Sequence, residues 1–146
     1  MSYVADSNIL TALSQKKSSQ YIYVEQAIAE FRQKKENIVI FPQNLVEFWA
    51  VATRPLEANG LNLSIEKTVS EMRRFRRNFT FVNELPDLFF EWEILVQKYQ
   101  VKGKNVHDAR IVAAMMQHGI THLLTFNVKD FNRFDEITVV DPKEFV

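Results

Sequence analysis

Near its beginning the chain reads Tyr3-Val4-Ala5-Asp6-Ser7-Asn8, and this pattern is the main evidence for its fold class. Its three apolar residues predict a short buried strand, and the polar residues after them predict a turn at the carboxyl end of that strand. Similar apolar runs recur at 38–41, 79–82, 122–125 and 137–140, with helical patterns between them. Short apolar strands that alternate with helices are typical of a parallel sheet covered by helices on both faces. We therefore predict an α/β fold with a parallel central sheet of four to five strands in a three-layer α/β/α arrangement.

The composition fits one domain. The chain has 146 residues, of which 47% are hydrophobic and 25% charged, as in an ordinary globular protein. No internal repeat, low-complexity tract or linker interrupts the sequence, so we expect a single domain over residues 1–146. Among the 18 aromatic residues, we expect Trp49, Phe89, Phe90 and Trp92 to fill the core rather than to stack on bases.

Several classes of function are excluded by residue content. The chain has no Cys, which rules out disulfides, thiolate zinc sites and a cysteine nucleophile. No apolar run approaches the roughly 20 residues that span a bilayer, and the N-terminal residues show no secretory signal pattern. We therefore expect a cytoplasmic protein.

The charges balance, with 18 Lys and Arg against 18 Asp and Glu. A net charge of zero argues against a polycationic nucleic-acid binder, but it says nothing about local clusters. One such cluster is Arg73, Arg74, Arg76 and Arg77 on a predicted helix. Two interpretations stay open for it: contact with RNA phosphates, or a solvated helix face.

Polar residues follow the first and fourth predicted strands. Asp6 and Asn8 come after the first, and Asn127 and Asp130 come after the fourth. In open α/β sheets, sites form outside the carboxyl ends of the strands, so these residues are candidates for one site. Asp and Asn also favour turns and helix N-caps, which is the structural alternative for each of them.

Two further acids lie in helical segments. Glu47 interrupts the apolar stretch 45–51, where a carboxylate needs a polar edge, a partner or a metal. The alternative is a single solvated stripe on that helix. Asp108 begins the apolar face that continues with Ile111, Val112 and Met115, although it also suits a capping box with Asn105. Oxygen ligands without Cys point to a hard cation, Mg²⁺ or Mn²⁺, and such clusters serve phosphoryl transfer.

Four segments together resemble the PIN-domain ribonucleases, and the size of the chain is similar to that of VapC-type toxins of toxin–antitoxin pairs. The segments are Val4–Leu10, Leu45–Phe48, Val106–Ala113 and Leu124–Phe131. The resemblance implies a PIN-like fold and a Mg²⁺- or Mn²⁺-dependent endoribonuclease that cleaves RNA phosphodiester bonds. It also implies an antitoxin partner, and homodimers are common in the family.

The resemblance also assigns residues. It makes Asp6, Glu47 and Asp108 the metal ligands, and it adds Asn127 to the catalytic set at a position that is Asp in many relatives. Asn8 would orient Asp6, and Thr125 would be a supporting hydroxyl. Asp130 would compensate for the charge missing at Asn127, or only hold the loop. Lys102, Lys104 and Arg110 are candidates for RNA contact because they are close to Asp108 in sequence.

Two other functions stay open at this point. A PIN scaffold that binds RNA or protein without catalysis is compatible with Asn127. A phosphatase that uses Asp6 as nucleophile is disfavoured, because such enzymes of the haloacid-dehalogenase type carry a second Asp where this chain has Asn8. His118 and His122 have metal-pair spacing, but Gly119 lies between them, and we interpret them as surface residues.

Overall fold

The computed structural model describes residues 1–145, which form a five-stranded, all-parallel sheet. The strands are β1 (Ser2–Ala5), β2 (Asn37–Ile40), β3 (Thr80–Phe81), β4 (His122–Leu124) and β5 (Thr138–Val140). Their order across the sheet is β3-β2-β1-β4-β5, and every neighbouring pair is parallel. The predicted α/β class and parallel sheet are confirmed.

Helices connect the strands. Over residues 1–145 they are α1 (Ser7–Leu13), α2 (Tyr21–Gln33), α3 (Pro42–Thr53), α4 (Ile65–Asn78), α5 (Leu88–Lys98), α6 (Val106–Gln117) and α7 (Val128–Phe131). Short 3₁₀ turns lie at Leu56–Ala58, Gly103–Asn105 and Pro142–Phe145. Among the described residues, no helix is long and apolar enough to cross a membrane.

Two hydrophobic cores cover the two faces of the sheet. Successive strand residues point to opposite faces, so Val4 packs in the core with α5 and α6, while Ala5 packs in the core with α1 to α4. Neighbouring strands follow the same alternation, with Val39 in the first of these cores and Ile40 in the second. This burial on both faces is why the strands read as continuous apolar runs.

The chain changes direction across the sheet at β1. From β1, the chain adds β2 and β3 on one side, and β4 and β5 on the other. The crevice between the carboxyl ends of β1 and β4 is therefore the topological switch point, where α/β sheets place their ligands. Backbone bonds hold this edge, since the Asp6 amide donates to the Leu124 carbonyl and the Thr125 amide to that of Val140, both at 3.0 Å.

The start of α3 is fixed by a buried asparagine. Pro42 occupies the first turn, where a missing N–H costs nothing. The Asn44 side chain is fully buried, and its Oδ1 accepts a hydrogen bond of 2.8 Å from the Phe41 amide. This cap anchors the helix that carries Glu47 against the end of β2.

The expectation that Phe89 and Phe90 fill the core is wrong. Their relative exposures are 55% and 61%, and Ile94 on the same helix is 64% exposed. The inner side of α5 is already occupied by the buried Leu88 and Leu95. Because α5 carries apolar residues on more than one side, those that do not face the core are exposed to solvent.

Candidate functional site

Asp6 lies directly after β1, at the switch point of the sheet. It is only 6% exposed. Its Oδ1 accepts a hydrogen bond of 2.8 Å from the Ser7 amide, and its Oδ2 accepts one of 2.7 Å from the Thr125 hydroxyl. Burial raises the pKa of the carboxyl above its ordinary value, while these two hydrogen bonds lower it. The structure therefore holds an acid in fixed orientation where its ionised form is unfavourable without a cation.

The Thr125 hydroxyl organises the residues around Asp6. Thr125 is fully buried after β4. Its Oγ1 donates to Asp6 and accepts hydrogen bonds from Asn8 Nδ2 at 3.1 Å and from the backbone N–H of Asn127 at 3.0 Å. Asn8 also accepts a bond of 3.3 Å from the Phe126 amide through its Oδ1. Asn8 thus reaches Asp6 through Thr125, and no direct Asn8–Asp6 hydrogen bond forms among the described residues.

Glu47 and Asp108 line one depression, which we call the acidic pocket. Its volume is about 290 Å³, and its other lining residues are Lys104, Asn105, His107, Asn127 and Asp130. Glu47 projects from α3 and Asp108 from the first turn of α6. Asn105 precedes α6 without a side-chain capping hydrogen bond, so the capping box considered for Asp108 is not observed.

The acids of the pocket and Asp6 are electrostatically coupled. Burial, then the charges of Asp6 and Asp108, raise the pKa of Glu47 to about 7. Burial, then the charges of Asp6 and Asp130, raise the pKa of Asp108 to about 6. A cation bound among these carboxylates would offset the repulsion that raises the pKa values of Glu47 and Asp108.

Asn127 and Asp130 contact each other. The Asn127 Nδ2 donates a hydrogen bond of 2.9 Å to Asp130 Oδ2. Asp130 is close enough to Asp108 to raise its pKa. The Asp130 carboxylate therefore raises the pKa of an acid of the pocket, and the Asn127 side chain holds that carboxylate in place.

The donor set suits a hard cation, although it is not fully assembled. Over residues 1–145, no three His, Asp or Glu side chains converge closely enough to surround one ion. A carboxylate has about four lone-pair positions, and the two hydrogen bonds to Asp6 use two of them. Asp6 thus keeps acceptor capacity, and side-chain movement of Glu47 and Asp108 would be needed to complete a ligand set of oxygens.

The three candidate RNA contacts are placed differently. Lys104 lines the acidic pocket and lowers the pKa of Asp108. Lys102 is exposed but does not line that pocket. Arg110 is held by Glu84 through two hydrogen bonds of 2.8 and 2.7 Å, and it donates a third of 3.0 Å to Gln43.

Gln43 and Glu84 were missed by the sequence analysis as parts of this region. Gln43 Nε2 donates to the His107 carbonyl at 2.7 Å, which ties α3 to the start of α6. Together with its bond to Arg110, this contact fixes the distance between the helices that carry Glu47 and Asp108. Gln43 lies one helical turn before Glu47, which is the one local signal. Glu84 meets Arg110 across 26 residues and gives no such signal.

The fold is similar to that of several solved toxin–antitoxin proteins. VapBC2 from Rickettsia felis, bound to a DNA fragment from its promoter, has a TM-score of 0.72 and 18% identity over 97% of this chain and 98% of that one. VapBC-1 from nontypeable Haemophilus influenzae has a TM-score of 0.72 and 16% identity over 98% and 99%. VapC20 from Mycobacterium tuberculosis, a sarcin–ricin loop cleaving toxin, has a TM-score of 0.63 and 16% identity over 92% and 98%.

At these identities the likeness concerns the fold. Comparison with curated proteins finds no match. A family model described as "PIN domain" matches residues 3–137, which is nearly the whole chain. That match includes the strand ends and helices that carry Asp6, Glu47, Asp108 and Asn127. The chain therefore belongs to the PIN-domain family.

Proposed function

We propose that the chain is a metal-dependent endoribonuclease and the toxin component of a type II toxin–antitoxin module. The observation that carries the proposal is the acidic pocket beside Asp6, at the switch point of a PIN-family sheet. Acids collected at such an edge, without Cys and without a His set, suit phosphodiester hydrolysis with a hard divalent ion. Membership of the family disfavours the alternative of a phosphatase with an Asp6 nucleophile.

The proposed metal ligands are Asp6, Glu47 and Asp108, with Mg²⁺ or Mn²⁺ as the ion. When bound, such an ion activates water and stabilises charge on a phosphate. Asn127 completes the proposed catalytic set as a neutral polar group at the rim of the pocket. The shared electrostatics support this assignment, because Asp6 raises the pKa values of both other acids.

The surrounding residues have proposed supporting roles. Thr125 and, through it, Asn8 hold the Asp6 carboxylate. Asp130 supplies a further negative charge near Asp108. Lys104 is the best placed of the candidate RNA contacts, because its ammonium group shares the acidic pocket. Lys102 would contact RNA outside that pocket, and Arg110 would act mainly by fixing Gln43.

The test is cleavage of a labelled single-stranded RNA in the presence of Mg²⁺ or Mn²⁺. We expect Asp6→Asn and Asp108→Asn to abolish cleavage while circular dichroism and the unfolding midpoint show an intact fold. Asp87→Asn is the matched control, because Asp87 is exposed and makes no capping hydrogen bond with its side chain. Retained cleavage in both site variants, or cleavage that persists in EDTA, would refute the proposal.

A catalytically weakened PIN scaffold is the second candidate, and Asn127 is the observation that favours it. An amide at this position removes a negative charge that would help to bind a second metal. Metal titration separates the two candidates. We expect the wild-type chain to bind Mn²⁺ in isothermal titration and Asp6→Asn to lose that binding, whereas a scaffold shows no binding in either form.

The proposed protein partner is an antitoxin. The solved structures named above include VapBC complexes. An antitoxin segment with an Arg or an apolar helix would cover the acidic pocket and neutralise its charge. Co-expression with the product of a small neighbouring reading frame should yield a stable complex in which RNA cleavage is suppressed. A complex that cleaves as fast as the free chain would contradict this role.

We further propose a homodimer through the exposed face of α5. Phe89, Phe90 and Ile94 are all more than half exposed on this one helix. Large apolar side chains grouped on a surface mark interaction sites. Sedimentation equilibrium should show a dimer for the wild-type chain and a monomer for Ile94→Glu. A wild-type monomer at micromolar concentration would overturn the proposal.

A further inference from the structure

A second depression lies between α4 and the segment that follows α1, and we call it the basic groove. Its volume is about 940 Å³. Five cationic side chains line it: Lys16, Lys17, Lys67, Arg74 and Arg77. None of its lining residues lines the acidic pocket. Arg74 and Arg77 of the α4 cluster thus line the same groove as two lysines from a different part of the chain.

The groove carries an excess of positive charge. Among its lining residues, within the part of the chain that the structure describes, Glu71 is the one acid. Glu71 is buried and engaged by Arg74 at 2.8 Å and by Lys67 at 3.8 Å. Lys16, Lys17 and Arg77 are exposed and form no ion pair within residues 1–145. A chain with zero net charge therefore concentrates unpaired cations on one surface.

The groove is held in shape by the same residues. Arg74 donates a hydrogen bond of 3.0 Å to the Leu13 carbonyl at the end of α1. Because its guanidinium also pairs with Glu71, Arg74 fastens the end of α1, just before the lysine-bearing segment, to α4. Lys16 and Arg77 thus line one groove whose two sides are joined by a fixed contact, which lowers the cost of ordering them around a ligand.

We propose that the basic groove is an exosite, a substrate-binding surface away from the cleavage site, for the sugar–phosphate backbone of RNA. The inference rests on the proposed nuclease function. Lysine ammonium and arginine guanidinium groups are the usual contacts to phosphates. Ser18 and Ser70 line the groove as well and add hydroxyl donors.

Its lining favours a phosphate backbone over a protein partner. Leu13 is the one apolar residue among the lining residues that the structure describes. Protein interfaces have an apolar core in which Lys is depleted, and this surface has the opposite composition. No aromatic side chain lines the groove within residues 1–145, so it offers no aromatic platform on which bases stack. Binding should accordingly depend on salt and not on base sequence.

The test measures RNA binding separately from cleavage. Fluorescence anisotropy with labelled RNAs of about 20 nucleotides and two unrelated sequences is measured in EDTA, on the chain carrying Asp6→Asn. Lys16→Gln, Lys17→Gln and Arg77→Gln are combined in one variant. The matched control combines Arg73→Gln, Arg76→Gln and Lys143→Gln, three exposed cations that do not line the groove. Both variants lose three positive charges.

Three lost phosphate contacts should reduce the slope of log K against log salt by about two for single-stranded RNA. Raising the salt from about 50 to about 200 mM weakens RNA binding in every form, but the factor of weakening should be about 16 times smaller in the groove variant than in the parent chain. We expect this change for both RNA sequences in the groove variant and not in the control. On the active chain, the groove substitutions should raise KM for long RNA and leave cleavage of a tetranucleotide unchanged.

Several outcomes would overturn the exosite. An unchanged slope in the groove variant would do so, and so would an equal change in the control. Loss of binding to polyglutamate with RNA binding intact would assign the groove to an acidic protein instead. If the wild-type chain cleaves no RNA but the slope changes as expected, the proposed nuclease function fails while the backbone-binding groove stands.

Discussion

Replacing Thr125 by Val tests the arrangement around Asp6 most directly. The two side chains have the same shape, so the substitution removes the hydroxyl and little else. That hydroxyl donates to the buried Asp6 carboxylate and accepts hydrogen bonds from Asn8 Nδ2 and from the backbone N–H of Asn127. A hydrogen bond to a charged group contributes about 1.5–3 kcal/mol, and a neutral one about 1 kcal/mol. Asn8 is half-buried and can turn to water, so we expect a loss of about 2–4 kcal/mol in the free energy of unfolding.

Urea unfolding of the metal-free protein at neutral pH measures this loss as a fall in the midpoint without a change in slope. Thr125→Ser keeps the hydroxyl and removes one methyl group, so it should lose only about 1 kcal/mol. Thr53→Val is the matched control, because its hydroxyl bonds only to the Trp49 carbonyl within α3. That control should also lose about 1 kcal/mol or less.

The same substitution moves the pKa of Asp6. The Thr125 hydroxyl lowers that pKa, since it stabilises the charged carboxylate. In Thr125→Val the pKa rises further, so the acid limb of the RNA-cleavage pH profile should shift to higher pH. If the Val variant unfolds at the midpoint of the Ser variant and its pH profile does not move, Thr125 does not hold Asp6 in the manner described.

The acids near the switch point make the protein sensitive to pH and to divalent metal. The pKa of Glu47 in the folded protein is raised to about 7 from 4.5, so the metal-free protein loses stability as the pH rises between these values. In Glu47→Gln, the urea midpoint should therefore fall less between pH 4 and pH 8 than it does in the wild-type chain. Mg²⁺ at about 100 times its Kd should stabilise the wild-type chain by about 2.7 kcal/mol, seen as a thermal shift that Asp6→Asn abolishes. Asp130→Asn should lower the pKa of Asp108, measured by NMR titration of its carboxyl carbon, because Asp130 raises it.

The sheet could be predicted from sequence because its signal is local. Each strand is buried on both faces, which leaves a short run of apolar residues such as Ile38 to Ile40. The exception is β3, predicted over 79–82 but formed only by Thr80 and Phe81. This strand lies at the edge of the sheet and its two residues are exposed, so little burial extends it.

Contacts between distant parts of the chain left no local signal. The outward position of Phe89 and Phe90 depends on which side of α5 meets α6, and helical periodicity cannot decide this when apolar residues occur on several sides. The pairing of Arg110 with Glu84 and the placement of Lys16 and Arg77 along one groove likewise depend on tertiary packing. In contrast, Asp6 could be singled out because the end of a parallel strand is itself recognisable in the sequence.

Asn127 changes the charge of the acidic pocket less than its residue type suggests. Asn in place of Asp suggests that the site has lost one negative charge. However, the side-chain Nδ2 of Asn127 donates a hydrogen bond of 2.9 Å to the Asp130 carboxylate, and Asp130 raises the pKa of Asp108. An Asp at 127 would set two carboxylates at that short distance, which is unfavourable unless a proton or a cation lies between them. The amide instead stabilises the charge at 130, so the fourth negative charge of the site is carried three residues later, within reach of the same pocket.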